Sequence, residues 1–174
     1  LIVWLPQMIF WKINTGHWMF YTYGDEGFFF SRPAILKGLF SWRKGWLLYT
    51  PMMALGLAGF VFLKKRIPQA FWPLLLFTIA NIWIVTSWWS WWYGGSLGMR
   101  PMIDSYSLLA LPLAAFISWL FDKSRNVRTA GLALILLLNF HSVFQTFQYY
   151  YGAIHWDSMS RKAYFSSFGH LHPQ

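Results

Sequence analysis

Residues 67–99 read IPQAFWPLLLFTIANIWIVTSWWSWWYGGSLGM and contain no lysine, arginine, aspartate or glutamate. A helix that crosses a bilayer needs about 20 consecutive apolar residues, so this stretch is long enough to span a membrane and continue beyond it. Three further runs without these charges cover residues 45–63, 105–121 and 129–156. The runs are continuous, whereas a transmembrane barrel shows alternating segments of about 10 residues. The pattern therefore predicts an all-α fold, a polytopic bundle of transmembrane helices.

The composition agrees with this prediction. Hydrophobic residues make up 57% of the 174 residues and charged residues only 11%, against about 25% charged residues in soluble domains. A soluble globule and a disordered chain are both excluded on these grounds. The chain has no cysteine, which excludes disulfide frameworks, thiolate metal sites, iron–sulfur clusters and cysteine nucleophiles.

The chain is predicted to form a single transmembrane region over residues 1–174. It begins inside an apolar run, without an initiator methionine or the features of a signal peptide, so we expect a fragment of a larger protein. About four full spans are predicted, after one truncated N-terminal span. The truncated span covers residues 1–11 and the full spans cover 45–63, 70–88, 106–121 and 129–150, with an external loop at 12–44 and an external tail at 152–174.

Loop charges predict the orientation. Lys64, Lys65 and Arg66 form one short basic turn, and residues 123–128 form a second one. By the positive-inside rule both turns are predicted to be cytoplasmic, and the protein is predicted to lie in a bacterial inner membrane with its active face outward. The net charge of +9 lies in segments between apolar spans, which favours anionic lipid as the partner and disfavours nucleic acid.

A glycine-rich segment follows the second predicted full span. Gly94, Gly95 and Gly98 precede Arg100, and Asp104 follows four residues later. Glycines allow close approach of the backbone to an anion, and an arginine can bind phosphate oxygens through two nitrogens. These residues are candidates for binding a phosphate, with Asp104 in a supporting role. The alternative is a tight interfacial turn in which Arg100 pairs with Asp104 or with lipid headgroups.

Two basic residues with flanking tryptophans precede the first full span. Arg43 and Lys44 stand between Trp42 and Trp46, and adjacent cations at headgroup depth could bind a lipid phosphate. Ordinary anchoring of the span at the interface is the alternative. The tract at residues 88–93, WWSWWY, could stack on sugar rings, or form an aromatic belt at the membrane surface.

Asp25 and Glu26 are adjacent carboxylates between Gly24 and Gly27. Such a pair can act as a general base or bind a divalent cation, which is the one cofactor that the sequence raises. The alternative is a helix N-terminus, where carboxylates are also favoured. No pair of histidines has the spacing of metal ligands on one helix face, so no metal site is predicted from histidines.

Two segments carry a resemblance to a known family. Residues 40–51, FSWRKGWLLYTP, and residues 93–100, YGGSLGMR, with Asp104 and the helix after it, resemble bacterial members of the polyprenyl-phosphate-dependent glycosyltransferases. That superfamily includes the protein O-mannosyltransferases and the lipid A aminoarabinose transferase. The resemblance covers roughly residues 40–112. It implies a multispan enzyme that transfers a sugar from a polyprenyl-phosphate donor to an extracytoplasmic acceptor.

The resemblance also implies where the catalytic base lies. In the superfamily this carboxylate stands in the first external loop, near the N-terminus, and the present chain is expected to lack that loop. Asp25 and Glu26 are therefore only weak catalytic candidates, while Arg100, and less directly Arg43 and Lys44, are the donor-phosphate candidates. Two other functions stay open: a non-enzymatic transporter or flippase module, and a polymerase or ligase of cell-surface glycans.

Overall fold

The computed structural model describes residues 2–21, 24 and 26–173. Within these residues the chain is helical, and its only extended pairing is an isolated antiparallel bridge between Phe28 and Trp88. The helices are α1 (Leu5–Thr15), α2 (Ile35–Phe40), α3 (Trp46–Tyr49), α4 (Met52–Arg66), α5 (Pro68–Ser87), α6 (Tyr106–Phe121), α7 (Arg125–Tyr150) and α8 (Arg161–Ser167). Short 3₁₀ helices precede α1 and α6, at Ile2–Trp4 and Arg100–Ser105.

Three helical segments of the described chain are long and apolar enough to cross a membrane. They are Pro68–Ser87, Arg100–Phe121 and Arg125–Tyr150. The predicted all-α class is confirmed, and these helices indicate a lipid bilayer environment. The predicted number of about four full spans is not confirmed, because residues 45–63 do not form one continuous helix.

The break lies at Thr50 and Pro51. A residue before proline is pushed away from the helical conformation, and Thr50 accordingly has φ −134° and ψ 65°. Helix α3 ends before it with 4 residues, and α4 begins after it with 15 residues. At about 1.5 Å per residue, α4 is roughly 22 Å long, short of a hydrocarbon core of about 30 Å. Helix α1 is also too short to cross a membrane, with 11 residues. It ends at Thr15, whereas the truncated span is predicted to end near residue 11.

Helix α4 packs most extensively against α6. Gly56 and Gly59 lie on the contact face, opposite the backbone of Leu109 and Pro112. Small residues let two helix backbones approach closely, which is the usual basis of helix packing in membranes. This α4–α6 pair carries much of the buried core, which includes Phe60 and Leu63.

The two basic turns lie at one end of the helices. An ion pair between Arg66 and Asp122 joins the turn after α4 to the turn after α6. The Lys44 ammonium donates to the carbonyl of Ser96 at the opposite end, where α4 and the Arg100–Phe121 segment begin. All the predicted phosphate-binding residues are therefore at the end away from the basic turns.

The residues after α7 fold back onto that helix. Gln145 donates to the hydroxyl of Tyr164 at 2.8 Å, and Gln148 donates to the carbonyl of Ser167 at 2.7 Å. Ile154 and Met159 are buried with Tyr49 and Tyr164. The C-terminal region is thereby placed beside α3 and the predicted site.

Candidate functional site

A cleft of about 470 Å³ opens at the end of α5. Beside it, two backbone hydrogen bonds join the segment before α2 to the end of α5: the amide of Phe29 donates to Ser87 at 2.6 Å, and the amide of Trp89 donates to Gly27 at 2.9 Å. The lining side chains combine one cation, one carboxylate and several aromatic rings. They belong to Glu26, Phe28, Trp88, Trp89, Ser90, Tyr93 and Arg100.

Arg100 begins the 3₁₀ helix that leads into α6. Its side chain is exposed, and within the described part of the chain its guanidinium makes no hydrogen bond or ion pair. Asp104 is also exposed and does not pair with it. A guanidinium carries five N–H donors, and none of those of Arg100 is used by another residue in the described part of the chain.

Glu26 is the carboxylate that shares this cleft with Arg100. The structure therefore brings together two candidate residues that are far apart in the sequence. Asp25, the other candidate carboxylate, lies outside the described residues. The carboxylate, the guanidinium and the aromatic rings that line this cleft offer contacts for a phosphate, a hydroxyl group and an apolar ring face.

Lys44 is directed inward rather than toward this cleft. It is only 1% exposed, and its ammonium donates to the carbonyls of Ser96 and, at 2.6 Å, of Trp156. Burial lowers the pKa of Lys44 to about 8; the charge of Asp157 acts in the opposite direction, and the charges of Arg43 and Arg100 lower the pKa as well. The Lys44 amine thus links two loops, and its burial closes it off from a phosphate in the cleft.

Arg43 also has partners within the chain. Its Nη2 atom lies 2.9 Å from the carboxylate of Asp157, and its Nε donates to the Asp157 carbonyl at 3.0 Å. The guanidinium carbon stacks 3.9 Å above the ring of Trp92. Arg43 and Lys44 therefore contact the residues around the glycine-rich segment, at Trp92 and Ser96. Both also bind the C-terminal region, at Asp157 and Trp156.

The three candidate glycines differ in what they contact. Gly98 has φ +60°, and a β-carbon there would lie 2.8 Å from Tyr49. Gly95 lies against the ring of Trp156, where a β-carbon would be 2.7 Å from the nearest ring carbon. Gly94 has φ +65° with no atom within 4 Å of a β-carbon position. Gly95 and Gly98 are thus required because a side chain would collide with a neighbouring aromatic residue. Gly94 is required only because of its positive φ.

Sequence reasoning missed Trp156 and Asp157 as members of this region. The chain has only five acidic residues and 14 lysines and arginines. An isolated acid such as Asp157 is therefore expected to form an ion pair with one of these basic residues. It could not be matched to Arg43, because the two residues are 114 positions apart. Among the described residues, no group of three histidine, aspartate or glutamate side chains is placed to hold a metal ion.

Comparisons with known proteins identify no family: no family model, no curated protein and no solved structure matches the chain. The resemblance to polyprenyl-phosphate-dependent glycosyltransferases therefore stays a prediction.

Proposed function

We propose that the chain is part of an integral membrane glycosyltransferase that uses a polyprenyl-phosphate sugar donor, with Arg100 binding the donor phosphate. The observation that supports this proposal is the Arg100 guanidinium, which has no hydrogen-bond or ion-pair partner among the described residues. It lies in an aromatic cleft at one end of three apolar helices. A lipid-linked phosphate places its chain among such helices and its anionic group at their end. The aromatic residues of the cleft offer ring faces on which a sugar can pack.

In such a transfer the acceptor hydroxyl oxygen bonds to the anomeric carbon of the sugar. The bond from that carbon to the phosphate oxygen breaks, and the phosphate leaves with the electron pair. A carboxylate takes the hydroxyl proton. A fixed cation beside the phosphate stabilises the charge that develops on it, which is the role we assign to Arg100.

The proposed orientation places the cleft outside a bacterial inner membrane and the basic turns in the cytoplasm. The absence of native cysteine makes this directly testable. Ser166→Cys on α8, at the cleft end, should react with an impermeant thiol reagent in intact cells, and Ser124→Cys in the basic turn should not. Both side chains are exposed. Labelling of Ser124→Cys without Ser166→Cys would reverse the orientation.

The role of Arg100 is tested by the binding of polyprenyl monophosphate to the chain in nanodiscs. A charge-assisted hydrogen bond contributes about 1.5–3 kcal/mol, so Arg100→Ala should weaken binding roughly ten- to a hundredfold. Arg100→Lys should recover part of the affinity, because the charge remains while the planar fork is lost.

Lys162→Ala is the matched control, since Lys162 is an exposed cation on α8 and does not line the cleft. Its removal should leave the affinity unchanged. An Arg100→Ala protein that elutes as a folded species and binds polyprenyl monophosphate like the wild type would remove Arg100 from the site.

A further inference from the structure

Residues 155–158 form a short turn that lies across the glycine-rich segment. The amide hydrogens of Asp157 and Ser158 both point to Nδ1 of His155, at 3.1 and 2.9 Å, which closes the turn. The turn follows Ile154, whose amide donates to Gln148 of α7 at 3.2 Å. It is therefore attached to the last turns of α7.

Hydrogen bonds and ring packing hold this turn against the glycine-rich segment. The amide of Ser96 donates to the carbonyl of Trp156 at 3.1 Å, and the ring of Trp156 packs on Gly95. The Lys44 ammonium donates to both carbonyls, of Ser96 and of Trp156. One buried cation thus holds together two chain segments that are distant in sequence.

A further contact of the turn is the ion pair between Asp157 and Arg43. Their ion pair has one carboxylate oxygen 2.9 Å from the guanidinium, and the side chains are 21% and 30% exposed, so solvent screens the pair only in part. The same guanidinium stacks on Trp92. Asp157 is thus linked through Arg43 to Trp92, the residue directly before Tyr93.

The fastened segment carries one wall of the cleft. Tyr93 and Arg100 both line the cleft, and they flank the residues that the turn holds. Tyr93 has φ 53°, a left-handed conformation that is uncommon outside glycine, costs roughly 1–3 kcal/mol and persists only where its surroundings maintain it. These surroundings include α5, since the Tyr93 hydroxyl donates to the carbonyl of Val85 at 2.9 Å, and the stacked pair of Trp92 and Arg43.

We propose that residues 155–158 act as a clamp on the glycine-rich segment, and that Asp157 is a positioning residue that keeps Tyr93 and Arg100 in place for a phosphate ligand. The ligand part of this inference rests on the proposed function. Asp157 does not contact the ligand itself; it acts through Arg43 and Trp92.

The clamp is tested first without any ligand. Ser96→Cys introduces a single thiol into the clamped segment, where the side chain is half-buried, and its rate of reaction with a thiol reagent increases when the segment opens. Adding Asp157→Asn removes the charge while keeping the side-chain shape, and should increase the rate about tenfold, as expected for the loss of a charge-assisted hydrogen bond. Adding Asp157→Glu should restore much of the protection.

Asp122→Asn is the matched control, because it removes an Arg–Asp ion pair at the opposite end of the helices. It should leave the reaction rate of Ser96→Cys unchanged. An unchanged rate with Asp157→Asn, or an equal increase with Asp122→Asn, would overturn the clamp.

The second measurement is the affinity of the Asp157 variants for polyprenyl monophosphate in nanodiscs. We expect Asp157→Asn to weaken binding several-fold and Asp157→Glu to recover it, a rescue that general destabilisation would not produce. Faster labelling with unchanged affinity would overturn the positioning role. A wild-type chain that does not bind polyprenyl monophosphate would overturn the proposed function, while the labelling rates would still decide whether the clamp exists.

Discussion

Replacing Gly59 with alanine is expected to lower the free energy of unfolding by about 3 kcal/mol, the upper part of the range for overpacking in a tightly packed interior. A β-carbon at this position would overlap the backbone carbonyl of Pro112 on α6. A backbone atom cannot rotate away as a side chain can, so α4 and α6 must separate. The measurement is the midpoint of thermal unfolding of the detergent-solubilised chain.

Gly56→Ala is the control, one turn earlier on the same face of α4. The nearest atom to a β-carbon there is the Leu109 carbonyl at 3.7 Å, which is ordinary contact. Alanine also has the better helix propensity, by about 1 kcal/mol, so this variant should be as stable as the wild type or more stable. Equal unfolding midpoints for both variants would contradict the close packing of α4 on α6.

The second large effect is expected at Gly98. Alanine there would adopt φ +60° and would lie 2.8 Å from the β-carbon of Tyr49. The left-handed conformation costs about 1 kcal/mol for alanine, and the contact with buried Tyr49 adds overpacking. We expect Gly98→Ala to cost about 2–4 kcal/mol of stability and to disturb the cleft wall that carries Arg100.

Gly94→Ala separates these two contributions. Gly94 has a similar φ of +65° but no atom within 4 Å of the β-carbon position, so only the conformational cost of about 1 kcal/mol remains. If both variants lose the same stability, the contact between Gly98 and Tyr49 is not what requires glycine.

The long helices could be predicted from the sequence because each is encoded locally. The predicted 106–121 coincides with α6, where Asp104 and Asp122 limit the apolar run. The predicted 70–88 lies within one or two residues of α5, because a charged turn precedes this helix and the aromatic tract follows it. The division of residues 45–63 was harder to predict. Pro51 lies near the start of an apolar run, where a proline is often accommodated at a helix end, and only the conformation of Thr50 shows that the helix restarts there.

The candidate site was predictable only in part, for a physical reason. Arg100 follows glycines at the start of an apolar helix, and that local pattern was sufficient to single it out. The partners of Arg43 and Lys44 depend on how the C-terminal region folds back, over sequence separations of 114 and 112 residues. No periodicity or motif encodes such a contact, so two cations that were candidates for phosphate are instead engaged with Asp157 and with backbone carbonyls.

The most direct test of the account compares polyprenyl monophosphate with polyprenol of the same chain length, titrated against the wild-type chain in nanodiscs of neutral lipid. The two molecules share the apolar chain and differ in the phosphate. We expect the monophosphate to bind at least about tenfold more tightly, as one charge-assisted hydrogen bond implies. Equal affinity for the two molecules would contradict the phosphate site at Arg100, and with it the proposed function.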